Sequence, residues 1–443
     1  MMFWLGVLVL VIGLLISIAL HEVGHLLPAK RFGVKVSQYM VGFGKTLWST
    51  RRGDTEYGFK AIPLGGYVRM VGMYPPARAV SEAGPGAAPT RKKFFSSVME
   101  DARAEALSEV QPGEERRTFW ALSVPKKLVV MFGGPFVNLV IAFVLLAVAL
   151  MGIGLPQLTS TVGTVSQCVL PYDADRECAS ADPVAPATAA GLEPGDQVLS
   201  WGGTPVEDWA DLQAAIRAGG AEPVDVEVSR GGEDLTVTVT PTMTDRPVVD
   251  AEGFVETDEA GNVVTAPAPF VGVAPEAALV RQPISAVPAV FGDALGQTFG
   301  IILTLPQRLV SIASSTFGGQ ERDPNVIGLI GVGRIAGEAA ATDTDFGFAG
   351  NALLMLQILA SLNLALFAFN MIPLLPLDGG HIAGALWEGA RRRIARWRER
   401  PDPGPVDTVR LLPLTYVVFV VLIGMSLLLA IADIVDPISL TGG

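Results

Sequence analysis

Residues 2–20, MFWLGVLVLVIGLLISIAL, carry no charge, and the next five are His21-Glu22-Val23-Gly24-His25. As a helix rising about 1.5 Å per residue, a run of that length covers roughly the 30 Å hydrocarbon core of a bilayer. Three further runs, about 128–155, 346–377 and 411–432, are long enough to do the same. Inside a bilayer the backbone must satisfy its own hydrogen bonds. A chain of this kind is therefore confined to bundled helices, with irregular backbone only where protein or a water-filled cavity covers it. Half the residues are apolar, 17% are charged and mean hydropathy is +0.44, which argues against an ordinary soluble protein. The first run has no basic leader and no Ala-x-Ala site, so it reads as a retained helix and not a cleaved signal.

Charge orients these spans. Residues 28–127 hold 17 Lys+Arg against 9 Asp+Glu, residues 154–280 hold 4 against 21, and residues 384–410 contain seven arginines. The positive-inside rule makes the first and third connections cytoplasmic and the acidic one exterior, with both termini outside. Residues 284–318 carry only Asp293 and Arg308 and could pass for a fifth span. Pro288, Pro306 and the two charges favour an amphipathic helix in the interface, so four spans are expected.

The polar cluster at the end of the first span carries the chemistry. Two histidines four residues apart share one face of a helix and can reach one metal ion, and a glutamate beside the first can act on metal-bound water as a general base. An HExxH pattern alone is a weak signal and could be two interfacial histidines at a helix end. Ionisable groups at a membrane span are costly and usually functional, which favours the metal. Catalytic zinc takes three protein ligands and keeps a fourth position open. The one remaining histidine is His381, and three residues before it stands Asp378, in NMIPLLPLDGGH, residues 370–381. Pro373 and Pro376 break the helix there. With one outward span between them, the inner ends of the first and third spans lie at the same depth, so Asp378 is the expected third ligand and His381 a neighbouring residue.

HEVGH in the first span, GGPFVN (133–138) in the second and NMIPLLPLDGGH in the third resemble the site-2 protease family of intramembrane zinc metalloproteases, over nearly the whole chain. The resemblance implies Zn2+ bound by His21, His25 and Asp378, with Glu22 as catalytic base. It also implies Asn370 on the substrate backbone, and Asn138 lining the cleft or serving as a packing contact between helices. The activity implied is the second cut of regulated intramembrane proteolysis, at single-pass substrates such as anti-sigma factors that another protease has already shortened. The location implied is a bacterial plasma membrane, with the chain multi-pass. A catalytically silent scaffold and a transporter are the competing readings; the complete ligand set with Glu22, and the absence of a visible repeat, speak against them.

The remaining segments fill in a polytopic α-helical membrane fold of four spans with an inserted α+β domain. Residues 1–74 hold the first span and, at 56–70, a β-hairpin around Pro63-Leu64-Gly65-Gly66. That hairpin resembles the family's membrane-reentrant loop, whose Gly65 and Gly66 region could pair with substrate as an added strand. Residues 75–127 form a cytoplasmic insertion, with a short helix near 96–110, and a basic linker. Residues 128–155 are the second span. The segment 160–245, with its Gly191-Leu192-Glu193-Pro194-Gly195-Asp196 turn, resembles a bacterial PDZ domain and lies outside. A linker hairpin around Glu259-Ala260-Gly261-Asn262 and interfacial helices follow (246–345), then the third span with its LDGGH (346–383), a basic loop (384–410) and the fourth span (411–433). Cys168 and Cys178 share the exterior segment and are expected to pair as a disulfide. The basic clusters at 91–93 and 391–400 suit lipid contact and topology, and nothing suggests nucleic acid.

Overall fold

The computed structural model describes residues 1–76, 104, 107–174, 176–248, 255–258, 262–318, 326–342 and 344–438. The expected helix near 96–110 falls largely outside these residues, as do the cluster at 91–93 and the turn at 259–261. Two compact units form: Met1–Ile153 with Gln282–Gly443, and Gly154–Arg281.

The first unit opens with α1 (Met2–Arg31), which runs through the HEVGH pentapeptide and eleven residues past the uncharged run. Then come β1 (Val36–Arg52), β2 (Thr55–Met70) and α2 (Val124–Ala147), which ends in a π-helical turn at Val148–Ile153. The two strands pair antiparallel, and the chain reverses at Gly53, where φ is +62°. The Pro63–Gly66 run is therefore not the hairpin tip. It lies inside β2, where Gly65 at φ +105° bends the strand. Residues 38–41 are registered against both 66–69 and 56–59, so the two long strands fold back into one sheet of four side-by-side segments in which Gly66 to Met70 form an outer edge.

The second unit supplies β3 (Leu155–Val165), the short α3 (Pro186–Ala189), β4 (Gln197–Trp201), β5 (Thr204–Pro205) and α4 (Trp209–Gly219). These are followed by β6 (Val224–Arg230), β7 (Glu233–Val239), β8 (Thr242–Pro247), β9 (Thr265–Phe270) and β10 (Val273–Val280). The main sheet runs β10-β3-β4-β6-β7. Val162, Val198, Trp201, Leu212, Val226, Val228 and Val271 form its core. Asp208 caps α4 by accepting from the Asp211 amide at 2.9 Å, and Cys168 is disulfide-bonded to Cys178. The segment 246–282, expected as a linker, belongs to this sheet through β10. Alternation was hard to read there because β10 pairs across more than a hundred residues, with Leu155 opposite Val280 and Val165 opposite Val273.

The first unit resumes with α5 (Val287–Gly318), α6 (Leu329–Ala341), α7 (Gly347–Asn370), α8 (Asp378–Trp397) and α9 (Leu412–Val435). Two expected segments gain definition here. Pro288 sits in the first turn of α5, where no helical hydrogen bond is lost, and Pro306 is carried inside it. Ile284–Thr316 is thus one of five helices among the described residues that are long and apolar enough to cross a membrane. The basic loop expected at 384–410 is helical over its first half, because α8 continues to Trp397.

Small residues set the helix directions. A Cβ on Gly13 would meet Leu359, and Asn363 Nδ2 donates to Ser17 Oγ at 3.0 Å, so α7 runs parallel to α1. Gly24 abuts Gly133 backbone to backbone, with α2 antiparallel to α1. Gly6 lies against Ala336 of α6, and Asp433 near the end of α9 accepts from the amides of Gly328 and Gly331 at 3.2 and 2.7 Å. Both flanks of α5 are tied to this same end of the bundle: Gln282 N–H donates to Leu150 O in the last turn after α2, and Gly328 is held by Asp433.

Two predictions follow from the second unit. Because Leu155 and Val280 are paired, replacing 155–280 by a short linker should leave the helical unit monodisperse with its melting midpoint nearly unchanged. Excising 160–245 instead strips β10 of most of its sheet and should cause aggregation, read by size exclusion and thermal unfolding. In the same unit Asp196, fully buried, accepts from Arg230 Nε and Nη2 at 2.7 Å, and these bonds hold its carboxyl below the usual range. A carboxylate with a depressed folded pKa stabilises the fold above its unfolded pKa of about 3.9 and loses that contribution as pH falls through the folded value. The melting midpoint of this unit should fall below pH 4, and in Arg230→Met that part of the acid sensitivity should be missing.

Candidate metal centre

The centre is built where three helices meet. A Cβ on Gly24 would lie 2.3 Å from Gly133 O, one on Gly133 would lie 2.0 Å from Gly24 O, and one on Gly134 would lie 2.2 Å from His25 Nε2. Only glycine permits this approach, and it lets α1 press its histidines against the α2 backbone. His25 Nδ1 lies 2.8 Å from Val130 O, and a carbonyl can only accept, so His25 Nδ1 carries the proton and Nε2 is left with its lone pair.

The third helix brings a carboxylate. After Asn370 the chain leaves α7 through Met371–Leu377 and restarts at Asp378, the first residue of α8. A Cβ on Gly379 would lie 2.3 Å from Ile372 O, and one on Gly380 would lie 2.5 Å from Leu375 N. The two glycines therefore let the first turn of α8 seat directly on the connecting backbone, with the Asp378 side chain facing α1.

His21 Nε2, His25 Nε2 and Asp378 Oδ2 form a nearly equilateral triangle: 3.2 Å between the histidines and 3.3 Å from each to the carboxylate oxygen. Tetrahedral zinc with ligand distances of about 2.0–2.1 Å requires its donors to be about 3.3–3.4 Å apart. His21 and His25 are 9% and 5% exposed, and Asp378 Oδ2 is buried without a hydrogen-bond partner among the described residues. Three converging donors, one of them an orphaned carboxylate oxygen, fit a zinc ion. They are the one metal-competent cluster found among the described residues.

The other expected site residues are distributed as follows. Glu22 lies near His21, His25 and Asp378, with Val68 of β2 close to its carboxylate. Gly66 of β2 stands against it, a Cβ there being 3.0 Å from Glu22 Cγ, whereas Gly65 lies under the Phe43 ring. Asn370 Nδ2 donates to Leu366 O at 3.0 Å. Asn138 differs from a cleft-lining residue: it is fully buried behind His21, its amide 3.2 Å from His21 Nδ1. His381 is not part of the triangle. It lines a small cavity of about 30 Å³ with Lys127, Glu388 and Thr408. One contributor had no side-chain signature in the sequence: the Val130 carbonyl.

Residues 9–400 match Peptidase family M50, and the chain belongs to that family. It is 35% identical to the zinc metalloprotease Rip1 of Mycobacterium tuberculosis over 450 residues, covering 99% of this chain and 100% of that protein. The zinc metalloprotease Rip1 of Mycolicibacterium smegmatis is 34% identical over 453 residues, with the same coverage. The metalloprotease MmpA of Caulobacter vibrioides is 26% identical over 405 residues, or 88% of this chain and 89% of that one. The chain is thus a multi-pass zinc metalloprotease of the site-2 protease family.

A test of the site concerns the Asn138 amide. If His21 gives Nε2 to zinc, its Nδ1 must carry a proton, and the amide must present Oδ1 to accept it; side-chain amide orientation is assigned from such partners. Asn138→Asp, which can only accept, should keep zinc affinity within a few-fold of the parent. Asn138→Leu should lose it by roughly 10–100-fold, as expected on removing a partner of a ligating histidine. Competition with a chelating dye reads both.

Proposed function

We propose that this protein is an intramembrane protease that makes the second cut of regulated intramembrane proteolysis. It hydrolyses a peptide bond in or near the transmembrane segment of a single-pass protein, such as an anti-sigma factor, already shortened by another protease. The observation that carries this reading is the donor triangle with Glu22 at its side, built between membrane-length helices. His21, His25 and Asp378 would hold the zinc, which when bound lowers the pKa of water and polarises the scissile carbonyl. Glu22 would accept a proton from the attacking water and return it to the departing amide nitrogen. Val130 O and Asn138 steady the two histidines.

A transmembrane helix hides its peptide bonds in its own ladder and must be unwound before it is cut. The Gly66–Met70 edge of β2 is registered on one side only, against residues 36–41, and runs past Glu22. An unwound substrate can add to that edge as a further strand, with Gly66 leaving room beside the base and Asn370 holding substrate backbone. Four spans suit the chemistry. With both flanks of α5 tied to one end of the bundle, the segment between Gln282 and Gly328 does not reverse α7, so His21, His25 and Asp378 share one depth. The side rich in Lys and Arg is then cytoplasmic, and the Gly154–Arg281 unit, read as a PDZ domain, is extracytoplasmic with both termini. There it obstructs bulky substrates or holds the new carboxyl end left by the first cut.

Glu22→Gln should bind zinc like the parent and lose roughly 10²–10⁴-fold in activity, the usual contribution of a general base. His21→Ala and Asp378→Ala should lose both. Zinc per chain and cleavage of a pre-trimmed stub in proteoliposomes are the two measurements; full turnover by Glu22→Gln would remove it from the mechanism.

A further inference from the structure

Helix α8 has two opposite faces. Ala385, Glu388 and Ala395 are buried, with Glu388 Oε2 2.8 Å from Lys127 Nζ of α2 and Glu388 Oε1 3.1 Å from Arg392. On the far side Leu386, Trp387, Ala390, Ile394 and Trp397 are exposed, Trp387 by 59% and Trp397 by 81%. At about 100° per residue those five fall within a single arc of about 100°. Such a stripe is not a solvated face. Nor is α8 among the helices apolar enough to cross a membrane.

The stripe is edged with positive charge. Arg393 and Arg396 project along one border and Arg398 along the other, all exposed and without a carboxylate partner among the described residues. Tryptophan and arginine around an apolar stripe are what a helix lying at a membrane surface requires. The rings sit at headgroup level, and the guanidinium groups reach anionic phosphates. A second copy of the chain would bring the same arginines against themselves, which disfavours it as the occupant.

We propose that α8 is a lipid-docking helix: its Trp387–Trp397 face lies in the headgroup region, and Arg393, Arg396 and Arg398 bind anionic lipid. The docked element is the one that begins at Asp378. Gly379 and Gly380 seat its first turn on the 371–375 backbone, so the lipid-facing stripe and that carboxylate belong to one rigid piece.

The test uses the full chain in vesicles. Its two cysteines are joined to each other, so Ala390→Cys supplies a single free thiol for an environment-sensitive fluorophore in the middle of the stripe. In vesicles of phosphatidylglycerol and phosphatidylcholine the fluorophore should emit to the blue and be quenched by tail-brominated lipid. Pure phosphatidylcholine, or high salt, should reduce both effects. Adding R393Q/R396Q/R398Q should bring the mixed-lipid signal to the pure phosphatidylcholine level. If that triple variant fails to insert, titrating the phosphatidylglycerol fraction with the Ala390→Cys protein gives the same answer. The proposal is overturned if the fluorophore stays in water at every lipid composition. It is also overturned if burial is equal with and without anionic lipid, or if burial falls on diluting protein in lipid, which would identify a second copy of the chain as the occupant.

Discussion

The backbone contact between Gly24 and Gly133 is the constraint from which the rest of the centre follows. Any side chain at either position, or at Gly134, would force α1 and α2 apart, and overpacking a close interface costs about 1–3 kcal/mol before function is considered. Functionally the separation matters more than the energy. At this distance the Val130 carbonyl reaches His25 and the Asn138 amide reaches His21, so one helix offers two of the three donors and its neighbour orients them. Hydrocarbon offers little driving force for helices to associate, and small residues that let backbones touch are the usual substitute.

A second close approach completes the donor set. Gly379 and Gly380 compress the start of α8 onto the irregular 371–377 backbone, and Asp378 projects from that turn toward two histidines on another helix. Irregular backbone at membrane depth is tolerated only where protein covers it or it lines a cavity. Here it provides what a continuous helix could not: a carboxylate at the foot of α7 pointing across the bundle. On the other side of the triangle, the curled sheet brings extended backbone to Glu22.

Much of this was legible in the residues. HEVGH followed from helical spacing, and Asp378 followed from matching the depths of two helix ends without knowledge of their packing. Charge bias separated the basic and acidic connections. What escaped the sequence was of two physical kinds. Pairing over long separation hid β10, since nothing near Val273–Val280 signals a partner at Leu155–Val165. Charge masked helical periodicity after Asp378, because a run of arginines reads as a loop until the Leu386, Ala390, Ile394 and Trp397 stripe is laid on a helix. Asn138 was visible as a residue, but its role depended on which neighbour it touched.

The most direct test is zinc-edge X-ray absorption on the intact protein in lipid. Two imidazole nitrogens and light oxygen donors, all at about 2.0–2.2 Å, are predicted, with the imidazole signature unchanged in His381→Ala and the oxygen shell altered in Asp378→Ala. A third imidazole that disappears in His381→Ala, with the spectrum of Asp378→Ala like that of the parent, would contradict the donor set on which the account rests.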